Sequence, residues 1–136
     1  MKAPRPAGPL LALLVLGCAP ERERAAAHAA PMGVDVQWRA VDRCSPRSPA
    51  VSLQGIPPGA ARIKVRLTDL NMPTFSQGSD VFVPPGGRIA PGTLPNYAGP
   101  CPPAGERHSF RLTVDALDAS GQIIGTGQAT HLLPPE

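Results

Sequence analysis

Asn96-Tyr97-Ala98-Gly99-Pro100-Cys101-Pro102-Pro103-Ala104-Gly105-Glu106-Arg107-His108-Ser109-Phe110 runs straight into Arg111-Leu112-Thr113-Val114-Asp115-Ala116-Leu117. The first half cannot be regular structure. Its three prolines fix φ and remove amide donors, which bars the segment from a helix and from the middle of a sheet. The second half alternates: Phe110, Leu112, Val114 and Ala116 fall on one side, Arg111, Thr113 and Asp115 on the other. That period of two is the mark of a half-buried strand. A stiff loop with a cysteine in it therefore feeds a strand, and His108 stands at the junction, where a side chain can point into a pocket walled by the loop.

Working outward, the same period recurs. Arg62-Ile63-Lys64-Val65-Arg66-Leu67-Thr68 puts three aliphatic residues inward and the cations outward, and Gly33 to Val41 alternates in the same way. Val81-Phe82-Val83 reads as a short strand stopped by Pro84-Pro85-Gly86-Gly87. Phe110–Leu117 pairs naturally with Gln122–Thr130 across Asp118-Ala119-Ser120-Gly121, a hairpin turn sequence. Helical periodicity is nearly absent after residue 32. Short strands separated by turn signals predict an all-β fold, a single antiparallel β-sandwich-like domain over 33–136. Its expected core is Trp38, Ile63, Val65, Leu67, Phe110, Leu112, Val114 and Ile123.

The N-terminus reads as a processing segment. A short basic start with Lys2 and Arg5 precedes an apolar run from Pro9 to Gly17 that is too short to span a bilayer. It ends in Leu16-Gly17-Cys18, which resembles a bacterial lipobox. This implies a signal peptide over 1–17, a lipidated Cys18 and a charged, alanine-rich tether over 18–32. The expected location is the bacterial cell envelope, on the periplasmic side of the outer membrane or at the cell surface, with the membrane engaged through acyl chains. Of the 13 Lys+Arg, two precede Cys18, whereas all 10 Asp+Glu follow it, so the chain from Cys18 onward carries a net charge of +1. No cationic run with interleaved aromatics occurs, and nucleic acid is not an expected partner.

Cys44 and Cys101 remain once Cys18 is set aside. In an oxidising compartment two thiols invite a disulfide; buried free thiols or a metal pair are the other options, the metal pair lacking any CxxC or HxxxH spacing. Enzyme chemistry finds little to stand on. No serine has a nucleophile-elbow context. Of the three histidines, His28 falls in the tether and His131 near the C-terminus, so neither a triad nor a metal site assembles around His108. The expectation is a non-catalytic protein with no cofactor and no metal.

Three blocks in order resemble the bacterial phosphatidylethanolamine-binding protein family, often labelled Raf-kinase-inhibitor-like. Ser48-Pro49-Ala50-Val51-Ser52-Leu53-Gln54-Gly55-Ile56-Pro57-Pro58-Gly59-Ala60 is similar to its SPxLSWxGxPxGT segment. Thr68-Asp69-Leu70-Asn71-Met72-Pro73 stands where the family has DPDxP at a strand end. Gly99-Pro100-Cys101-Pro102-Pro103-Ala104-Gly105, with His108-Ser109-Phe110 and Ala116-Leu117-Asp118, is similar to its GPCPPxG…HRY…YALD block. Gly121–Gly127 resembles its closing strand. Cys44 precedes the first block as a cysteine does in bacterial members.

The resemblance implies a pocket in which an aspartate, two histidines, a backbone amide near the glycine-proline turn and a tyrosine surround a small anion such as a phosphoryl head group. Transferred to this chain, the ligand-binding set is Asp69, Asn71, Gln77, Gly99, Pro100, His108 and Phe110. Departures are clear. Gln77 is the nearest counterpart of the family's other histidine, the tyrosine has become Phe110, and the link from Asp118 to Gly121 is much shorter. The implied function is binding of a small anion or phospholipid head group by a shortened, divergent member. The alternative is a surface interaction domain that uses Arg39, Arg62, Lys64 and Arg66 and leaves the pocket idle.

Overall fold

A computed structural model describes residues 3–4, 28–73 and 76–135, and these described residues contain eight strands and two single-turn 3₁₀ segments. Cys18, the expected leader beyond residues 3–4 and most of the expected tether lie outside the described residues. The strands are β1 (Ala30–Pro31), β2 (Gly33–Gln37), β3 (Ala50–Gln54), β4 (Arg62–Asp69), β5 (Ser76–Phe82), β6 (Arg88–Ile89), β7 (His108–Leu117) and β8 (Ile123–Leu133). They form a five-stranded sheet in the order β1-β8-β7-β4-β5 and a three-stranded sheet in the order β2-β3-β6. The fold is an all-β sandwich.

β7 lies at the middle of the larger sheet and β4 beside it, each burying one face and showing the other. Ile63, Val65 and Leu67 alternate with Arg62, Lys64 and Arg66, and the buried set packs with Phe110, Leu112, Val114 and Ala116 of β7. Val36, Val51, Leu53 and Ile89 of the smaller sheet close the core from the other side. Register follows from burial, since a one-residue slip would expose every one of these side chains. The β7–β8 turn is held by Asp118, whose carboxylate accepts hydrogen bonds from the Ser120 amide (2.9 Å), the Ser120 hydroxyl (2.6 Å) and the Gln122 amide (2.9 Å). Gly121 takes φ 86°, a conformation that suits glycine.

Several expectations need correction. The first alternating run stops at Gln37. Asp42 accepts the Arg39 amide (2.7 Å) and guanidinium (3.2 Å), which rolls Ala40–Asp42 into a 3₁₀ turn. β5 begins at Ser76 rather than Val81, because pairing with β4 along its whole length outweighs weak strand propensity in Ser-Gln-Gly-Ser-Asp. Ile123 is half-buried, not core. The β7–β8 register slips at Ala116/Leu117, which pairs Leu117 with Ile123 on the outer face and leaves Ile124 as the one packed against the core. Trp38 is only partly buried against the core.

The packed part of the chain also starts ahead of Gly33. Ala30 and Pro31 pair in parallel with Gly125 and Thr126, and Met32 is buried, so the domain has one parallel edge. Gly127 permits this approach. A Cβ there would lie 2.3 Å from the Met32 carbonyl oxygen. Among the described residues, no helix is long and apolar enough to cross a membrane.

Candidate functional site

Strand periodicity brings the site together. His108 and Phe110 are two apart on β7 and share its inner face, and the antiparallel register sets Phe110 opposite Asp69, the last residue of β4. The imidazole is thus one diagonal step from the carboxylate, within reach across neighbouring strands. His108 Nδ1–H donates to Asp69 Oδ2 at 2.7 Å, with both side chains buried. Asp69 Oδ1 accepts the amides of Asn71 (2.9 Å) and Met72 (3.1 Å), which folds the chain after β4 into a tight turn.

The other ring nitrogen is also engaged. His108 Nε2–H donates to Glu106 Oε2 at 3.1 Å, and the Glu106 side chain is 59% exposed. Two carboxylate acceptors, one per nitrogen, call for a doubly protonated ring. Hydrogen bonding to Asp69 and then to Glu106 accordingly raises the His108 pKa against the opposing effect of burial. For Asp69 burial pushes upward, but the hydrogen bonds from His108, Asn71 and Met72 together outweigh it and hold the carboxyl below its ordinary value. Asp69 is the fixed anchor and Glu106 the solvated, displaceable one.

Next to this pair lies a small cavity of about 130 Å³ lined by Asp69, Met72, Cys101 and Phe110. The Pro-rich loop supplies its Cys101 wall and is pinned from several directions. Cys44 and Cys101 form a disulfide with Cα atoms 4.5 Å apart. The Cys44 amide donates to the Pro100 carbonyl (2.9 Å), the Gly99 amide to the Ser45 carbonyl (2.8 Å), and Arg43 Nη2 to the Pro102 carbonyl (2.9 Å). Gly99 allows the close approach, since a Cβ would sit 2.7 Å from both the Asp42 and Ser45 carbonyl oxygens.

The residues expected to bind ligand take different places. Asp69 and Phe110 line the cavity, and His108 sits behind Asp69, stacked on Phe110 with ring centroids 6.3 Å apart. Asn71 is turned away: its Oδ1 accepts the Ser109 amide at 2.8 Å and clamps the turn to β7. Gly99 and Pro100 have committed their backbone groups to the Cys44–Ser45 segment, so the Gly99 amide is not offered to a ligand. Gln77 faces inward from β5, opposite Leu67. Its Oε1 accepts the Ala98 amide (2.7 Å), while its Nε2 is enclosed without a partner. A buried amide donor with no acceptor is costly in isolation.

Sequence reasoning missed two contributors. Glu106, His108 and Phe110 follow an i, i+2, i+4 spacing, which would have placed the second carboxylate on the imidazole's side. Met72 gave no signal beyond its place after the strand end. Among the described residues, no three His, Cys, Asp or Glu side chains converge as a metal site.

Comparison with solved structures finds a likeness in fold. A crystal structure of a phosphatidylethanolamine-binding protein homologue from Chlamydia trachomatis superposes with a TM-score of 0.59, covering 80% of this chain and 99% of that one. This chain has a phosphatidylethanolamine-binding-protein-like fold. At 16% identity the sequences have diverged far, and the match rests on architecture. No protein-family model matches the sequence, and no curated protein matches it.

Proposed function

We propose that this protein is a non-catalytic envelope lipoprotein, anchored through Cys18, whose β domain binds a small anion or phospholipid head group beside His108. One observation carries the reading. His108 is clamped by a buried carboxylate on Nδ1 and capped by an exposed one on Nε2. Glu106 occupies the position a ligand oxyanion would take. An incoming phosphoryl oxygen replaces it, forms a charge-assisted hydrogen bond with Nε2–H, and leaves Glu106 to solvent. Asp69 keeps the ring charged and oriented throughout.

The rest of the shell fits a small ligand. Phe110, Met72 and Cys101 supply an apolar wall for the carbon skeleton of a head group. No nucleophile is paired with a base in this arrangement, which favours binding over turnover.

The test is a titration with inorganic phosphate and with phosphoethanolamine, followed through the His108 ring resonances. Saturable shifts of the ring and of the neighbouring Asn71, Met72 and Glu106 amides are expected in the parent, and His108→Ala is expected to lose the amide shifts while remaining folded. Retention of those local amide shifts in His108→Ala would assign His108 a structural role.

A further inference from the structure

The outer face of the larger sheet holds a second concentration of positive charge, remote in chemistry from the Asp69–His108 pair. Residues that alternate with the buried set of β4 and β7 point there: Arg62, Lys64, Arg66, Thr68 on β4 and Arg111, Thr113, Asp115 on β7. Cross-strand partners divide these cations into two groups. Lys64 has a carboxylate on each side, opposite Asp80 of β5 and Asp115 of β7, and Arg62 lies 3.9 Å from Asp80. Arg66 and Arg111 differ. Arg66 faces Gly78 and Thr113, with Asp80 and Asp115 only at the diagonal positions, and Arg111 faces Thr68 and Thr130, so no acid stands directly opposite either one.

Three features make this more than a solvated strand face. Arg66 and Arg111 are diagonal neighbours, because Arg66 pairs with Thr113 and Arg111 lies two residues before it. Diagonal neighbours have backbone positions about 7–8 Å apart, well within the reach of two guanidinium forks toward one point. Gly78, opposite Arg66 on β5, contributes no side chain to crowd that guanidinium. Finally, Arg111 Nε is enclosed and has no hydrogen-bond partner. Among the described residues neither guanidinium has an ionic or hydrogen-bonding partner. Thr68, Thr113 and Thr130 are the cross-strand neighbours of the pair, the Thr68 hydroxyl sharing a 3.3 Å hydrogen bond with Ser76.

We propose that Arg66 and Arg111, on the adjacent strands β4 and β7, form a second binding site for a tetrahedral dianion of the phosphate type. Paired guanidinium groups offer planar, bidentate donors that match such an anion, which a lysine cannot do. The flanking threonines add neutral donors. The same chemistry could be presented by a soluble phosphate group or by a lipid phosphate at a bilayer surface. The site is independent of His108.

Side-chain nitrogen resonances of arginine report on it directly, because the enclosed Arg111 Nε–H is shielded from exchange. Titration of the β domain with inorganic phosphate at constant ionic strength should shift the Arg66 and Arg111 Nε signals saturably. Arg66→Gln and Arg111→Gln should each weaken this binding at least about tenfold, whereas Lys64→Gln should change it by less than about threefold. Arg111→Lys, which keeps the charge and loses the fork, should lie between them and guards against misfolding of the glutamine variant. His108→Ala should leave the arginine shifts intact, which separates failure here from failure of the head-group site. A parallel arm measures sedimentation with phosphatidylcholine vesicles containing phosphatidic acid: binding that requires both arginines identifies lipid phosphate as the source, and phosphate shifts without vesicle binding identify a soluble one. Absence of saturable shifts together with absence of vesicle binding, or equal sensitivity to Lys64→Gln, would overturn the proposal.

Discussion

Replacing both Cys44 and Cys101 by serine isolates what the disulfide does. The two cysteines are 57 residues apart in sequence. In the chain-entropy account, opening a loop of that length returns roughly 14 cal/mol/K to the unfolded ensemble, about 4 kcal/mol at 25 °C. A domain of this size loses about 4–5 °C of Tm per kcal/mol, so the midpoint should fall by roughly 15–20 °C. The folded state should change little. Both cysteines are exposed, so serine buries no new polar group there. The loop also keeps its backbone hydrogen bonds from Cys44's amide to Pro100 and from Gly99 to Ser45. Calorimetry and urea unfolding of the parent and the double variant measure this, and the urea slope should rise as the unfolded chain expands. Phosphate affinity at 10 °C should stay within about threefold of the parent. A fall of less than 5 °C would refute the loop-closure reasoning. So would a large loss of affinity in a variant that remains folded, since the loop would then depend on the covalent bond for its shape.

Other predictions follow from the same geometry. Stability from His108 should be fully present below its ordinary pKa of about 6.5 and lost as pH rises through its raised folded-state value; stability from Asp69 should be present above about 3.9 and lost as pH falls through its lowered value. Thermal midpoints across pH should therefore peak between these limits, and Asp69→Asn should flatten that peak. Gly99→Ala should destabilise by roughly 1–3 kcal/mol in denaturant unfolding, because its Cβ meets two backbone oxygens that cannot move apart freely. Leu112→Ala, at a site only 2% exposed, should lose about 2–5 kcal/mol and leave the anion titration of the remaining folded fraction unchanged.

Much of this molecule was legible in its residues, and the reasons for the exceptions are physical. β4 and β7 could be read because each buries one face only, so polarity and period coincide. The turn at Asp118–Gly121 could be read because its chemistry is local. β5 could not, since Ser76–Asp80 owes its strand to a neighbour and not to itself. The slip that exchanges Ile123 for Ile124 is equally silent, because a bulge depends on how two strands meet. For the site, Asp69 and His108 were visible as residues at a strand end and a loop exit. Their contact depended on register, which periodicity alone leaves open. Asn71 and Gly99 were expected to face a ligand and instead hold the turn and the loop, since an unpaired backbone group takes the nearest partner.

The central claim is that an anion takes the place of Glu106 on His108. Its most direct test is the His108 pKa, measured by ring carbon resonances with and without saturating phosphate. Binding to the charged ring must raise that pKa further by linkage, and Glu106→Gln must tighten phosphate binding because the competing carboxylate is gone. A His108 pKa that is the same in both conditions, with phosphate affinity unaltered by Glu106→Gln, would contradict it.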